Sequence, residues 1–191
     1  MPNHFTSLHH SKLQQGISLK ADAERSTVSR YSPATEVMTD LLHAAAYTIN
    51  QTASITEAEN KMILCGVRLL FVIDADSDLI GLITATDILG ERPLNYLREH
   101  GGERDEIMVH EIMTHRDYIE VINYPEVVRA SVGDLIATLH DAGRQHVLVV
   151  DNESVRGLFS ATEVARRIGE TVEIDTRARS FAELEAALVS H

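Results

Sequence analysis

The chain has 191 residues, of which 44% are apolar and 24% charged, and its formal net charge is −12. This acidic charge argues against nucleic acid or an anionic membrane as a general partner. No apolar run approaches the roughly 20 residues of a membrane span, and the first residues lack the apolar segment of a signal peptide. The single cysteine, Cys65, excludes an internal disulfide framework. These features predict a soluble, cytoplasmic protein with neither nucleic acid nor membrane as its partner.

Residues 1–32 are polar and show no sustained period, so we predict a loosely ordered arm there. A first structural unit follows over residues 33–92. Its main helix is capped by Ser54 and ended by Gly66, where an apolar stripe stops. The other predicted elements of this unit are strands at Ala45–Asn50, Leu69–Ile73 and Leu79–Ile83 and a short helix that begins after Thr84 and reaches Leu89.

A connector over residues 93–108, with a short helix predicted at Leu94–His100, separates this unit from a second one over residues 109–169. The second unit has the same order of elements: a strand at Ile119–Asn123, a helix at Val132–Ala142, strands at His146–Val150 and Arg156–Phe159, and a helix at Ala161–Ile168. Residues 170–191 are predicted to form a C-terminal extension with a helix, because Ser180 and Glu183 make a capping box.

The two units are copies of one pattern. The segment that begins at Ser54 returns at Ser131, and Gly81–Asp87 returns as Gly157–Glu163. The same dipeptide opens both copies, as Met38-Thr39 and Met113-Thr114. Each copy reads β-α-β-β-α, so we predict an α/β (α+β) fold in which the copies form a compact pseudo-two-fold pair. Clefts between paired copies can hold a small ligand.

Both copies resemble the cystathionine β-synthase (CBS) domain. The resemblance depends on the Met-Thr opening, the strand motif Gly-x-x-x-Leu/Val-x-Val-Ile/Val-Asp and the segment Gly-x-x-Thr/Ser-x-x-Asp/Glu. It implies a tandem CBS pair that is regulatory and not an enzyme, that is usually a homodimer, and whose clefts bind an adenosine-containing ligand such as AMP, ADP, ATP or S-adenosylmethionine. It implies no cofactor beyond this regulatory ligand, and the target protein stays unknown. The residues agree, since none of them assembles a nucleophile, a base and an orienting group.

The first candidate site is the segment from Thr84 to Asp87. Thr84 lies where a strand ends and a helix begins, so its hydroxyl and the free backbone N–H groups favour a phosphate. Asp87 lies one helical turn further on and can accept both hydroxyls of a ribose. The same spacing is also an ordinary capping box, which is the structural alternative. The family resemblance favours the ligand site in this first copy.

The second candidate site contains Ser160 and Glu163 at the matching positions. Glu163 stands where the family prefers Asp, and its extra methylene places the carboxylate about one bond further out. Helix cap and ligand site therefore both stay open for this copy. We predict unequal sites, with Asp87→Ala costing more nucleotide affinity than Glu163→Ala.

Further positions match the family's pocket less specifically. Arg68, and Gln145 with His146, precede the central strands and can reach a central cleft. Arg68 could bind phosphate in a bidentate manner and His146 could supply a switchable charge, or they could be a solvated arginine and a strand-edge histidine. The extended residues implied to line the adenine include Tyr47, Ile49 and Tyr124. Either tyrosine can stack on the base or belong to the core.

Two other patterns resemble metal-binding motifs but lack their geometry. His110 and His115 are five residues apart and so lie on different faces of a helix, which excludes a shared metal. The Asp74–Asp78 turn lacks the glycine and the glutamate of a calcium loop. We predict no metal site. The alternative to ligand sensing is a protein-interaction or structural module with degenerate nucleotide pockets.

Overall fold

The computed structural model of the chain describes residues 28–169, together with Gln15. Its strands are β1 (Thr39–Asp40), β2 (Thr48–Asn50), β3 (Leu69–Ile73), β4 (Leu79–Thr84), β5 (Thr114–His115), β6 (Val121–Asn123), β7 (His146–Asp151) and β8 (Ser154–Ser160). Its α-helices are α1 (Ile55–Cys65), α2 (Ala85–Leu89), α3 (Arg92–His100), α4 (Val109–Ile112), α5 (Tyr124–Val127), α6 (Val132–Ala142) and α7 (Ala161–Ile168). The C-terminal extension with its predicted helix, and most of the N-terminal arm, lie outside the described residues.

The predicted α/β fold of two matching copies is confirmed. Helices α1 and α6 begin with capping boxes at Ser54 and Ser131, and they end at Gly66 and Gly143. These glycines have φ of 65° and 58°, a left-handed conformation that a side chain disfavours. The same start and stop signals therefore define the main helix of each copy.

Several elements differ in length from the prediction. Helix α3 begins at Arg92 and not at Leu94, because Pro93 fits the first turn of a helix. The predicted strands Ala45–Asn50 and Ile119–Asn123 shorten to the segments β2 and β6 that pair with their neighbours. Tyr124, expected in extended chain, is the first residue of α5, with a proline directly after it.

The two copies exchange their opening strands. One sheet has the order β2-β3-β4-β5 and the other β1-β8-β7-β6. Strand β1, which opens the first copy, pairs with β8 of the second copy, with Thr39 opposite Leu158. Strand β5, which opens the second copy, pairs with β4 of the first, with Thr114 opposite Leu82. Each sheet is thus completed by the other copy.

A motif glycine makes each exchange sterically feasible. A Cβ atom at Gly81 would lie 2.7 Å from the Thr114 carbonyl oxygen and 2.8 Å from Met113 Sδ. At Gly157 it would lie 2.6 Å from the Thr39 carbonyl oxygen. The Met-Thr motif and the glycine motif of the sequence are therefore two sides of one contact, repeated across the pair.

The buried apolar residues form one cluster in each copy and a third cluster that the two copies share. Strand β3 is buried on both faces: Leu70 and Val72 pack in the core of the first copy, and Leu69 and Phe71 pack in a shared cluster. Leu148 of β7 joins this shared cluster from the second copy. Because side chains alternate along a strand, His146 points to the same face as Leu148. The fold therefore directs His146 toward the first copy.

Candidate functional site: the cleft at Asp87

Thr84 and Asp87 form a complete capping box at the start of α2. The Thr84 backbone N–H and hydroxyl donate to Asp87 Oδ2 at 2.8 and 2.7 Å, and the Asp87 N–H donates to Thr84 Oγ1 at 3.2 Å. One oxygen of the carboxylate is thereby engaged within the protein. Asp87 is thus a helix cap, as the spacing of the motif allowed. Its second oxygen, Oδ1, determines what else the carboxylate can bind.

That second oxygen contacts Arg92. Arg92 Nη1 lies 3.2 Å from Asp87 Oδ1, and the carboxyl side chain is only 12% exposed. The same Nη1 donates to the Ile112 carbonyl oxygen at 2.7 Å and lies 3.4 Å from Thr114 Oγ1. Arg92 thus connects the helix start of the first copy to the strand that opens the second copy.

The charges of Asp87 and Arg68 both act on His146. Burial lowers the pKa of His146 to about 4, while the negative charge of Asp87 acts to raise it and the positive charge of Arg68 acts to lower it. Both charges are therefore near enough to act on the imidazole, which is neutral at pH 7. Asp87 and Arg68 come from the first copy and His146 from the second, so the two copies meet at this point.

The second copy is arranged differently at the matching helix start. Ser160 begins α7 without a side-chain capping bond. Glu163 instead accepts from Arg166 at 2.6 and 2.9 Å and from Arg167 at 2.9 Å. The hydrogen bond from Arg166 is the main cause that lowers the pKa of Glu163. Its carboxylate is therefore held along its own helix by the following turn, and does not cap the helix start.

Two of the remaining candidates, Arg68 and Gln145, have matching backbone roles. Their carbonyl oxygens each accept the first N–H of the following helix, from Ala85 and Ala161, both at 2.9 Å. These positions tie the central strand of each copy to its candidate helix start.

The aromatic and apolar candidates pack against the cores. Tyr47 and Ile49 are partly buried against the core of the first copy, and Tyr124 against that of the second. Arg156 lies over the Tyr124 ring, with Cζ 4.9 Å from the ring centre, and its Nη2 is 2.8 Å from Asp40 Oδ2. In the second copy this arginine covers the tyrosine that could stack on a base.

Arg92 and the cleft beside it were not among the residues predicted for the site. A cleft of about 490 Å³ lies between α3 and β5, and its lining includes Arg92, Tyr96, His100, Thr114, Tyr118 and Arg144. A signal was present in the spacing between carboxylate and arginine. Arg92 follows Asp87 by five residues, across Gly90. Arg166 and Arg167, in contrast, follow Glu163 by three and four residues, which is the spacing of contacts along one helix.

The described residues offer neither a metal cluster nor a membrane span. Within residues 28–169, no group of three or more histidine, cysteine or acidic side chains is arranged to hold a metal ion. Asp74 Oδ1 accepts the N–H groups of Asp76 and Asp78 at 2.9 and 3.0 Å, so this segment is a hydrogen-bonded turn. None of the helices within residues 28–169 combines the length and the hydrophobicity that a transmembrane segment requires.

Comparison with known proteins gives the class of fold. The family model of the CBS domain matches residues 34–93. An uncharacterized conserved protein from Pyrococcus horikoshii has a TM-score of 0.56 at 21% identity, over 76% of this chain and 98% of that chain. A conserved CBS domain protein of unknown function from Thermoplasma acidophilum has a TM-score of 0.52 at 22% identity, over 70% and 67%. None of the curated proteins matches the chain.

A further solved structure, of CBSX2 in complex with AMP, has a TM-score of 0.50 at 20% identity, over 71% of this chain and 94% of that chain. At these identities the likeness establishes the fold, which is that of a CBS domain pair. The match of the CBS-domain model to residues 34–93 agrees with the motifs of the first copy. CBS domains are regulatory ligand-binding modules.

Proposed function

We propose that this protein is a regulatory sensor that binds an adenosine-containing ligand, namely AMP, ADP, ATP or S-adenosylmethionine, in the cleft at Asp87. The assignment is supported most strongly by one arrangement. Thr84 is hydrogen-bonded to Asp87 in the first copy, and the charges of Asp87 and Arg68 both act on His146 of the second copy. A carboxylate suits ribose hydroxyls and a guanidinium suits phosphate. The AMP found with CBSX2, a protein of the same fold, agrees with this ligand class.

A ligand in this position would touch both copies. Contacts to Asp87 and Thr84 belong to the first copy, whereas contacts to His146 and Gln145 belong to the second. A ligand that binds one arrangement of the copies better than another shifts the equilibrium between them. The module would report ligand concentration to a target protein in this way, without catalysing a reaction.

Calorimetric titration with each of the four ligands tests the proposal. At least one ligand should release or absorb heat with the wild-type protein, and Asp87→Asn should weaken that binding by about tenfold or more, because a charged hydrogen-bond acceptor is lost. Absence of binding by all four ligands would favour the alternative, an interaction or structural module with degenerate pockets.

Asp134→Asn is the matched control. Asp134 Oδ2 accepts the Ser131 N–H and hydroxyl at 2.9 and 2.7 Å, which is the same capping box as at Asp87. Asp134 is exposed on α6, so the variant loses a comparable cap away from the cleft. Affinity should stay at the wild-type value in Asp134→Asn. An equal loss in both variants would show that the cap, and not ligand contact, is what matters.

We also propose a homodimer, in the cytoplasm, formed through the helices of the first copy. Ile63 and Leu64 on α1 are 73% and 86% exposed, and Leu89 on α2 is 67% exposed. The positions that match the first two in the second copy are polar, His140 and Asp141. The exposed apolar end of the main helix is thus a feature of the first copy alone, where a second chain could bury it. Light scattering of the wild type should give twice the 21.2 kDa mass of the chain. Leu64→Glu should give the mass of a monomer, because a charge would then lie in the apolar interface. A monomeric wild type would contradict the proposal.

A further inference from the structure

Arg92 occupies an unusual position for a surface arginine. Its side chain is 42% exposed, yet it contacts three acceptors on three segments: Asp87 Oδ1, the Ile112 carbonyl oxygen and Thr114 Oγ1. All of these contacts use one nitrogen, Nη1. Among the described residues, no hydrogen bond uses Arg92 Nη2 or Nε. The guanidinium therefore holds the carboxylate with only part of its donor capacity.

The same side chain also lines the cleft between α3 and β5. This cleft has a volume of about 490 Å³, within the range of about 300–1,000 Å³ that is usual for small-molecule sites. Arg144 and the rings of Tyr96 and Tyr118 share the lining. Asp87 and Thr84 do not line this cleft themselves, but Arg92 both lines it and contacts Asp87.

The contact between Arg92 and Asp87 obstructs one function of the carboxylate. Asp87 Oδ2 is engaged by Thr84, and Oδ1 is engaged by Arg92. A ribose that needs both oxygens must compete with the guanidinium for Oδ1. A phosphate can remove this competition, because an arginine binds phosphate with two parallel hydrogen bonds, whereas here it offers Oδ1 a single contact of 3.2 Å.

We propose that Arg92 determines the ligand specificity of this cleft by exchanging partners: it leaves Asp87 when it binds the phosphate of a nucleoside 5′-phosphate, and Asp87 then accepts the ribose. This inference builds on the proposed function of the same site. It selects phosphorylated adenosine over adenosine, which lacks the phosphate that the guanidinium would bind. The exchange also reaches β5, since Arg92 contacts Ile112, directly before the second Met-Thr motif, and Thr114 within it.

Titration of adenosine and AMP into the wild type and Arg92→Ala tests the exchange. The wild type should prefer AMP. In Arg92→Ala that preference should fall by about tenfold or more, because the phosphate loses its bidentate partner. The affinity for adenosine itself should stay level or rise, since Asp87 Oδ1 becomes available. Arg92→Gln is a second variant that keeps a donor for the Ile112 carbonyl and should show the same loss of preference.

Arg98→Ala is the matched control on the same helix. Arg98 is exposed, and its Nη1 lies 3.4 Å from Asn95 Oδ1, so the variant removes a charge from α3 outside the lining of the cleft. Both affinities should remain at the wild-type value.

If the wild type binds AMP and its preference for AMP over adenosine survives in Arg92→Ala, the inference about Arg92 is wrong while the proposed function stands. An equal loss for adenosine and AMP would likewise overturn it, because Arg92 would then only support the fold. If the wild type binds none of the adenosine ligands, the proposed function itself fails and the inference with it.

Discussion

The two copies carry nearly the same segment at the starts of α2 and α7, but the carboxylates in these segments have different partners. Asp87 caps its own helix and contacts Arg92, which lies beyond the helix on the next element. Glu163 leaves its helix start uncapped and is held by Arg166 and Arg167, one turn further along the same helix. The motif therefore fixes where a carboxylate stands in the chain, while the arginines around it decide what it can bind.

The difference also has a cause in helix length. Helix α2 ends at Leu89, and Gly90 allows the chain to turn before α3 begins at Arg92. Helix α7 continues to Ile168 without a break, so its arginines occupy the i+3 and i+4 positions relative to Glu163. One copy presents its arginine from a separate element, toward the cleft, and the other keeps its arginines on the helix surface.

The largest expected effect concerns the feature that the copies share. Gly81→Ala and Gly157→Ala should each destabilise the protein by about 1–3 kcal/mol, because the new Cβ atom would be forced against a backbone oxygen of the exchanged strand. Urea unfolding monitored by circular dichroism measures both. Comparable losses would confirm that the exchange matters equally in the two sheets, and a loss below about 0.5 kcal/mol in either variant would show that its strand can move aside at little cost.

The second prediction concerns a position at which the copies differ. His146 stands where the first copy has Leu69, and its pKa is about 4 in the folded protein because of burial, against 6.5 when unfolded. As the pH falls below 6.5, His146 becomes protonated in the unfolded chain but stays neutral in the folded protein. The unfolded state is therefore stabilised relative to the folded state, and the free energy of unfolding decreases. Between pH 7.5 and pH 5 this should amount to about 2 kcal/mol.

Comparison with two variants isolates this effect from the carboxylates, which titrate over the lower part of the range. Asp87 and Arg68 are the charged groups that act on His146, and both remain in His146→Gln. On acidification from pH 7.5 to pH 5, the free energy of unfolding of His146→Gln should fall by about 2 kcal/mol less than that of the wild type. His140 lies on the exposed side of α6, so His140→Gln should lose as much stability as the wild type does. The same loss in all three proteins would show that His146 is solvated.

The smallest effect is expected at the second copy. Glu163→Gln should cost no more than about 1 kcal/mol, because its ion pairs with Arg166 and Arg167 are at the surface, where water screens them. Asp87→Asn should cost more, since its carboxylate is 12% exposed and caps a helix. Unfolding free energies measured at low and moderate salt test the order of the two. A larger loss of stability in Glu163→Gln than in Asp87→Asn would contradict the view that Asp87 contributes more to the fold.

Much of the fold could be predicted because it depends on local signals that occur twice. Ser131 and Gly143 define α6 by capping and by a left-handed φ, and no tertiary contact is needed to find them in the sequence. The exchange of β1 and β5 could not be found in this way. Strands of two residues have no period, and their pairing depends on which sheet edge is vacant once the copies have packed.

The site was predicted only as far as the motif extends. Thr84 and Asp87 follow from the spacing, but their engagement with Arg92 depends on a break at Gly90 that turns the next helix back over the cleft. Likewise, the spacing could not show that Glu163 would prefer its own arginines to Ser160. Competition among neighbouring side chains for one carboxylate is decided by rotamers and packing, which a motif does not encode.

We propose that the two copies together provide one competent ligand site, at Asp87, and not two. Calorimetric titration of AMP, together with a crystal structure of the complex, tests it most directly. We expect one AMP per chain, with its ribose on Asp87 and with Glu163 still bound to Arg166. Two molecules per chain, or a single molecule with its ribose on Glu163, would contradict it.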